Sequence, residues 1–128
     1  MSRPRVLVVD DSLPNLELAA YLLMRDGFDV AKALDALDAR AQLSAFKPEL
    51  VLMDIQMPKV DGLTAARQIK ANPATAKVVV VAFTAYAMKG DEMKMLAAGC
   101  DGYISKPIDA ARFAGQVRGF LAAPTAAG

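Results

Sequence analysis

The chain has no histidine and a single cysteine, Cys100. One thiol excludes an internal disulfide, and without a second Cys or any His there is no ligand set for a zinc site. A reducing, cytosolic setting suits such a sequence. An excess of charge is also lacking: 15 basic and 14 acidic side chains leave a net +1. No basic run is available to track a nucleic-acid backbone, so direct nucleic-acid binding is not expected. Long apolar stretches are missing as well. The start, MSRPRVLVVDD, carries positive charge but only four consecutive strongly apolar residues, far short of a signal-peptide core or a spanning helix. The expectation is an unprocessed, soluble, cytoplasmic protein with no membrane insertion.

What the chain does have is apolar material: 55% of its 128 residues are hydrophobic, enough for one domain with a real core. Four β-branched or apolar runs recur, RVLVVDD (5–11), ELVLMD (49–54), KVVVVAFT (77–84) and the weaker GYISKPI (102–108), with FDVAKAL (28–34) as a fifth candidate. Continuous apolar runs, rather than strict alternation, suit parallel strands covered on both faces.

Helical patterns lie between them. Leu16, Ala19, Ala20 and Leu23 fall at i, i+3, i+4 and i+7, with Pro14 suited to a first turn and Gly27 to a C-terminal cap. Residues 36–46 form a second helix stopped by Pro48, 63–71 a third stopped by Asn72-Pro73, and 91–98 a fourth ending at Gly99. Asp109 is a candidate N-cap for a last helix carrying the stripe Phe113, Val117, Phe120 and Leu121. Five β-α units in alternation predict an α/β domain with a doubly wound parallel sheet over residues 1–122, and a frayed tail over 123–128.

Polar residues gather where the apolar runs end: Asp10 and Asp11, Asp54, Thr84 and Lys106. In an open doubly wound sheet, ligands bind outside the carboxyl ends of the strands, where the strand order reverses. With the order 2-1-3-4-5, the first and third runs are neighbours about 5 Å apart, and Asp10, Asp11 and Asp54 share one crevice. Three carboxylates so close need a cation. An all-oxygen ligand set favours a hard ion, and a few carboxylates with water and phosphate oxygens is the pattern magnesium prefers. Lys106 adds a second positive charge and Thr84 a hydroxyl, which together describe a pocket for a phosphoryl group beside a metal. A carboxylate can itself be the nucleophile. Asp54 is the best placed, with the acid pair on one side and Thr84 and Lys106 on the other.

In this order and spacing, VLVVDDS, VLMDIQMPKVDG, VVAFTAYAMKGD and GYISKPI resemble the receiver domain of two-component response regulators, with its flavodoxin-like (CheY-like) fold, over about residues 4–122. The resemblance implies Asp54 as phosphoacceptor and Asp10 and Asp11 as the acid pair that organises magnesium. It implies Gln56 as the residue whose carbonyl completes the metal shell, Thr84 as switch hydroxyl, Tyr103 as aromatic switch residue and Lys106 as the phosphate-pairing lysine. Lys106-Pro107 matches the family's cis peptide. The implied partners are a histidine kinase or a histidine phosphotransfer protein as donor. A downstream protein would read the surface of the fourth helix, fifth strand and fifth helix. The stretch TAYAMKGDE is closer to DivK-type single-domain regulators and hybrid-kinase receivers than to the chemotaxis type.

Two departures stand out. Asp35-Ala36 replaces an acidic-Gly pair and is expected to loosen that turn. Tyr86 is bulkier than the small residues often found there and would shield the phosphoryl group from water. Asp11, nearer the mouth, is expected to ligate directly and Asp10 partly through water, leaving Ser12 as a helix cap.

Plainer readings stand beside these. An acid pair can be an exposed turn, Lys106-Pro107 a simple bend, and Tyr103 mere packing. Met88, Met93 and Met95 form either an adaptable partner surface or part of the core. Cys100 reads as a small buried residue without a role. A flavodoxin-like cofactor protein would need a phosphate-cradling loop where DDSLPNLE places carboxylates. An aspartate-nucleophile phosphatase would need a general acid where Ser12 stands.

Overall fold

A computed structural model describes residues 3–55, 62–84 and 89–122. Ten elements alternate: β1 (Arg5–Val9), α1 (Leu13–Arg25), β2 (Asp29–Ala33), α2 (Ala36–Phe46), β3 (Leu50–Asp54), α3 (Gly62–Ala71), β4 (Val79–Thr84), α4 (Lys89–Ala97), β5 (Gly102–Ser105) and α5 (Phe113–Ala122). The five strands form one sheet in the order β2-β1-β3-β4-β5, every neighbouring pair parallel. The expected doubly wound architecture and its switch point between β1 and β3 are therefore present. β1 stops before its two aspartates, whereas Asp54 and Thr84 stay in the ladder as the last residues of β3 and β4.

Apolar runs alternate between two cores, as strand geometry requires. On β3, Leu50 and Leu52 face a cluster with Leu16, Leu22 and Leu23 of α1 and Phe113 and Val117 of α5. Val51 and Met53 face a second cluster with Ala39 of α2, Ala65 and Ile69 of α3, and Met95 of α4.

Helix ends follow the expected chemistry in most places. After α1 and after α4 the chain turns through Gly27 (φ 94°) and Gly99 (φ 95°), a left-handed conformation that costs glycine little. Both turns bond alike: Phe28 N–H donates to the Leu23 carbonyl at 3.0 Å, and Cys100 N–H to the Met95 carbonyl at 3.1 Å. Asp35 caps α2 from extended backbone, its Oδ1 accepting from Asp38 N–H at 2.8 Å, so the turn closes without the glycine. Two expectations need correction. Ser12 occupies the N-cap position of α1 but makes no side-chain cap bond. Asp109 does not cap α5, which starts four residues later. It closes a separate turn, accepting from Ala111 N–H at 3.1 Å on Oδ1 and from Arg112 and Phe113 N–H on its carbonyl.

The amino end of the sheet is tied by side chains. Asp101 Oδ2 accepts from Val80 N–H at 2.8 Å and pairs with Lys70 Nζ at 2.8 Å, and Lys70 also donates to the Val78 carbonyl at 2.7 Å. Lys70 and Asp101 neutralise each other there. The carboxyl end is built differently.

Candidate functional site

Register sets the pocket. Val9 pairs with Met53 across β1 and β3, so Asp10 and Asp54 follow as the next residues of adjacent strands. Asp10 N–H still donates to the Ala33 carbonyl at 3.1 Å, which fixes its backbone against β2. Beyond β5, Lys106 N–H donates to the Thr84 carbonyl at 2.7 Å, which carries the ladder one step further and sets Lys106 beside the end of β4. The Lys106-Pro107 bond is cis, as the motif implied.

The side chains converge from these anchors. Asp10, Asp54 and Thr84 are the buried polar residues of the described chain, each at most 2% exposed, while Asp11 is exposed at the mouth. Lys106 Nζ lies 3.1 Å from Asp10 Oδ2 and 3.6 Å from Asp54 Oδ2. Asp10 Oδ1 accepts from Ser12 N–H at 2.8 Å. Its buried Oδ2 is charge-paired with Lys106 but accepts no hydrogen bond of good geometry. Burying carboxylates costs several kcal/mol each unless charge is returned to them, and one ammonium returns only part of it.

The donor set fits a hard cation. Asp10, Asp11 and Asp54 each offer an oxygen, and these atoms lie within 4.8 Å of one another. Oxygen-only donors, a mixture of buried and exposed carboxylates and an unsatisfied Asp10 Oδ2 suit an ion that keeps several waters. Gln56 and Tyr86, expected at the site, and Met88 and the 123–128 tail lie outside the described residues.

Strand alternation divides the remaining residues. Asp10, Asp54 and Phe83 belong to the α1/α5 side of the sheet by parity with Val8, Leu52 and Val81, whereas Thr84 follows Ala82 to the α2/α3/α4 side. The pocket therefore straddles the sheet end. Tyr103 is partly buried against the same side as Thr84. Met95 is a core residue, whereas Met93 of α4 is 73% exposed. Cys100 is buried, and burial, with Asp101 adding to it and Lys70 opposing, pushes its thiol up to about 11.

Sequence reading missed the Phe83 ring, which lies with its centroid 4.9 Å from Lys106 Nζ. The alternation of VVVVAFT, counted back from Thr84, carries the signal that could have placed it on the Asp54 side.

The comparisons agree with this geometry. The model of the response regulator receiver domain matches residues 6–118. The polar-differentiation response regulators DivK of Brucella anthropi and Brucella melitensis are each 36% identical over 116 residues, covering 91% of this chain and 94% of theirs. In structure the chain is similar to the chemotaxis response regulator CheY4 of Vibrio cholerae, with a TM-score of 0.88 and 20% identity over 94% of this chain and 100% of that one. It is similar also to a response regulator from Desulfuromonas acetoxidans, with a TM-score of 0.82 and 30% identity over 92% of this chain and 96% of that one. Strand order, acid pocket and family match point one way, and the chain belongs to the response regulator receiver domains.

Proposed function

We propose that this chain is a phosphorylation-controlled switch that takes a phosphoryl group from a histidine kinase or a histidine phosphotransfer protein onto Asp54. The observation that carries this reading is the meeting of Lys106 Nζ with Asp10 and Asp54 at 3.1 and 3.6 Å, inside a three-carboxylate pocket at the switch point. An Asp54 oxygen attacks phosphorus, the P–O bond forms as the P–N bond of the donor phosphohistidine breaks, and the imidazole nitrogen leaves with the electron pair. Lys106 neutralises charge on the transferring oxygens. Thr84 donates its hydroxyl to the phosphoryl group from the opposite face of the sheet. Magnesium, held by Asp10, Asp11 and Asp54 with the Gln56 carbonyl, would supply further positive charge there. Tyr86 shields the product from water, so a Tyr86→Ala variant loses phosphate faster.

Exposed apolar residues support two docking regions. Leu13 directly follows the loop that holds the acid pair, and Leu18 and Tyr21 are also exposed on α1, a surface suited to the donor. Met93 and Leu96 are exposed on α4, on the face that Thr84 and Tyr103 share, which favours a downstream partner at α4, β5 and α5. Phosphorylation draws Thr84 inward and Tyr103 after it, biasing a pre-existing equilibrium of that surface. The protein acts in the cytoplasm as a regulator without turnover of small phosphate esters. Among the described residues no helix is long and apolar enough to cross a membrane.

The test is incubation with acetyl phosphate and magnesium, with Asp54→Asn as control, followed by capture of bound proteins. One phosphoryl group on Asp54 is expected, with tighter capture of a partner after phosphorylation. Partner binding that passes phosphate on and then ceases would assign a shuttle instead. No magnesium-dependent modification of Asp54 would refute the switch.

A further inference from the structure

Phe83 sits on β4 between Ala82 and Thr84, in register with Asp54 of β3 on one side and Ile104 of β5 on the other. Only 1% of it is exposed. Its ring face lies under Lys106 Nζ at 4.9 Å. The same ammonium is held by Asp10 and Asp54. The Lys106 side chain is 16% exposed, so water screens these contacts little. The ring is itself braced, since Phe113 at the start of α5 packs on it with centroids 5.9 Å apart.

We infer that Phe83 is a positioning residue for phosphoryl transfer, holding the Lys106 ammonium over the pocket through the electron-rich face of its ring. This rests on the reading of Lys106 as the phosphate-pairing lysine. A lysine stem has four rotatable carbons, and at a pocket mouth the head would otherwise spend time in solvent. A carboxylate can fix it, but those carboxylates must also serve the cation and the incoming phosphoryl group. The ring attracts the ammonium without accepting one of its three N–H groups along a lone pair, so the donors stay available to phosphoryl oxygens. An aliphatic side chain of similar bulk would fill the space and lack the attraction.

The series that separates these roles replaces Phe83 with mono-, di- and trifluorinated phenylalanine. Each fluorine withdraws density from the ring face with little change of size. With acetyl phosphate and magnesium, the phosphorylation rate of Asp54 is expected to fall in steps, to a loss of about three- to tenfold, with only a slight fall in the urea midpoint. In the protein without metal, exchange of the Lys106 ammonium hydrogens with water should quicken along the same series. Phe83→Leu should lose at least as much rate but also stability, which is why it cannot stand alone. A flat rate and flat exchange across the series, with Lys106→Ala still crippled, would overturn the role of Phe83 and leave the switch intact. If wild-type Asp54 takes no phosphoryl group, the switch fails and the positioning role falls with it.

Discussion

The two faces of the sheet are filled by different kinds of side chain. The α1/α5 side holds three buried phenylalanines, Phe28, Phe83 and Phe113, among leucines and valines. Among the described residues, the α2/α3/α4 side has no aromatic among its buried members and five alanines, and a cleft of about 360 Å³ opens between α2 and α3 over Met53. Large interlocking side chains resist displacement, whereas small ones leave room for neighbours to shift. The division matches the site. Asp10, Asp54 and Phe83 stand on the tightly filled side and Thr84 and Tyr103 on the loosely filled one. On the proposed function, the tightly filled half is expected to hold the reacting groups in place and the other half to respond to them.

Adjacent residues of β3 put the contrast to its hardest test. Leu52→Ala on the tight side should cost about 4 kcal/mol in urea unfolding, and Met53→Ala, beside space already open, about 2 kcal/mol. Equal costs would break the comparison. Next in size, Lys106→Ala without divalent cations removes the ammonium that two buried carboxylates share and should cost about 3 kcal/mol. Adding Asp54→Asn should restore much of that loss, because one like charge is gone. Smaller and opposite in sign are two alanine replacements. Ala65→Leu fills the cleft and should gain about 1 kcal/mol, whereas Ala19→Leu overpacks the tight core and should cost about 2 kcal/mol, both by thermal unfolding.

The last effect shows only at alkaline pH and concerns Cys100 of the loose side. With its thiol pushed up to about 11 from 9.0, iodoacetamide should leave the folded protein unmodified near neutral pH. The unfolded thiol ionises first as pH rises. Stability tied to this group is therefore complete below about pH 9 and is lost towards pH 11, a slope that Cys100→Ala should remove.

Much of this organisation could be read in the chain. The apolar runs, the glycines at 27 and 99 and the helix stop before Pro48 act locally, so their positions follow from backbone preferences. The acid pair, Asp54, Thr84 and Lys106 could be brought together because the sheet's topology places all strand ends on one edge. The strand order itself was supplied by analogy, since register across strands is a matter of long-range packing. The Asp109 error has the same origin: its turn and the later start of α5 depend on where Phe113 docks against Phe83. Ser12 looked like a side-chain cap, but its hydroxyl makes no cap bond and only its backbone N–H is used, donating to Asp10. The imbalance between the two cores was equally hidden, because alanines at 39, 65 and 66 read as good helix formers until their neighbours are known.

Methyl and amide shifts on adding fluoroberyllate and magnesium, a stable mimic of the phosphoryl group, test the division of labour most directly. Shifts beyond the pocket should be largest at Ala82, Met95, Ala98 and Tyr103 and small at Leu16, Leu22 and Val117. Equal shifts on both faces, or larger ones on the α1/α5 side, would contradict a rigid half serving a compliant one.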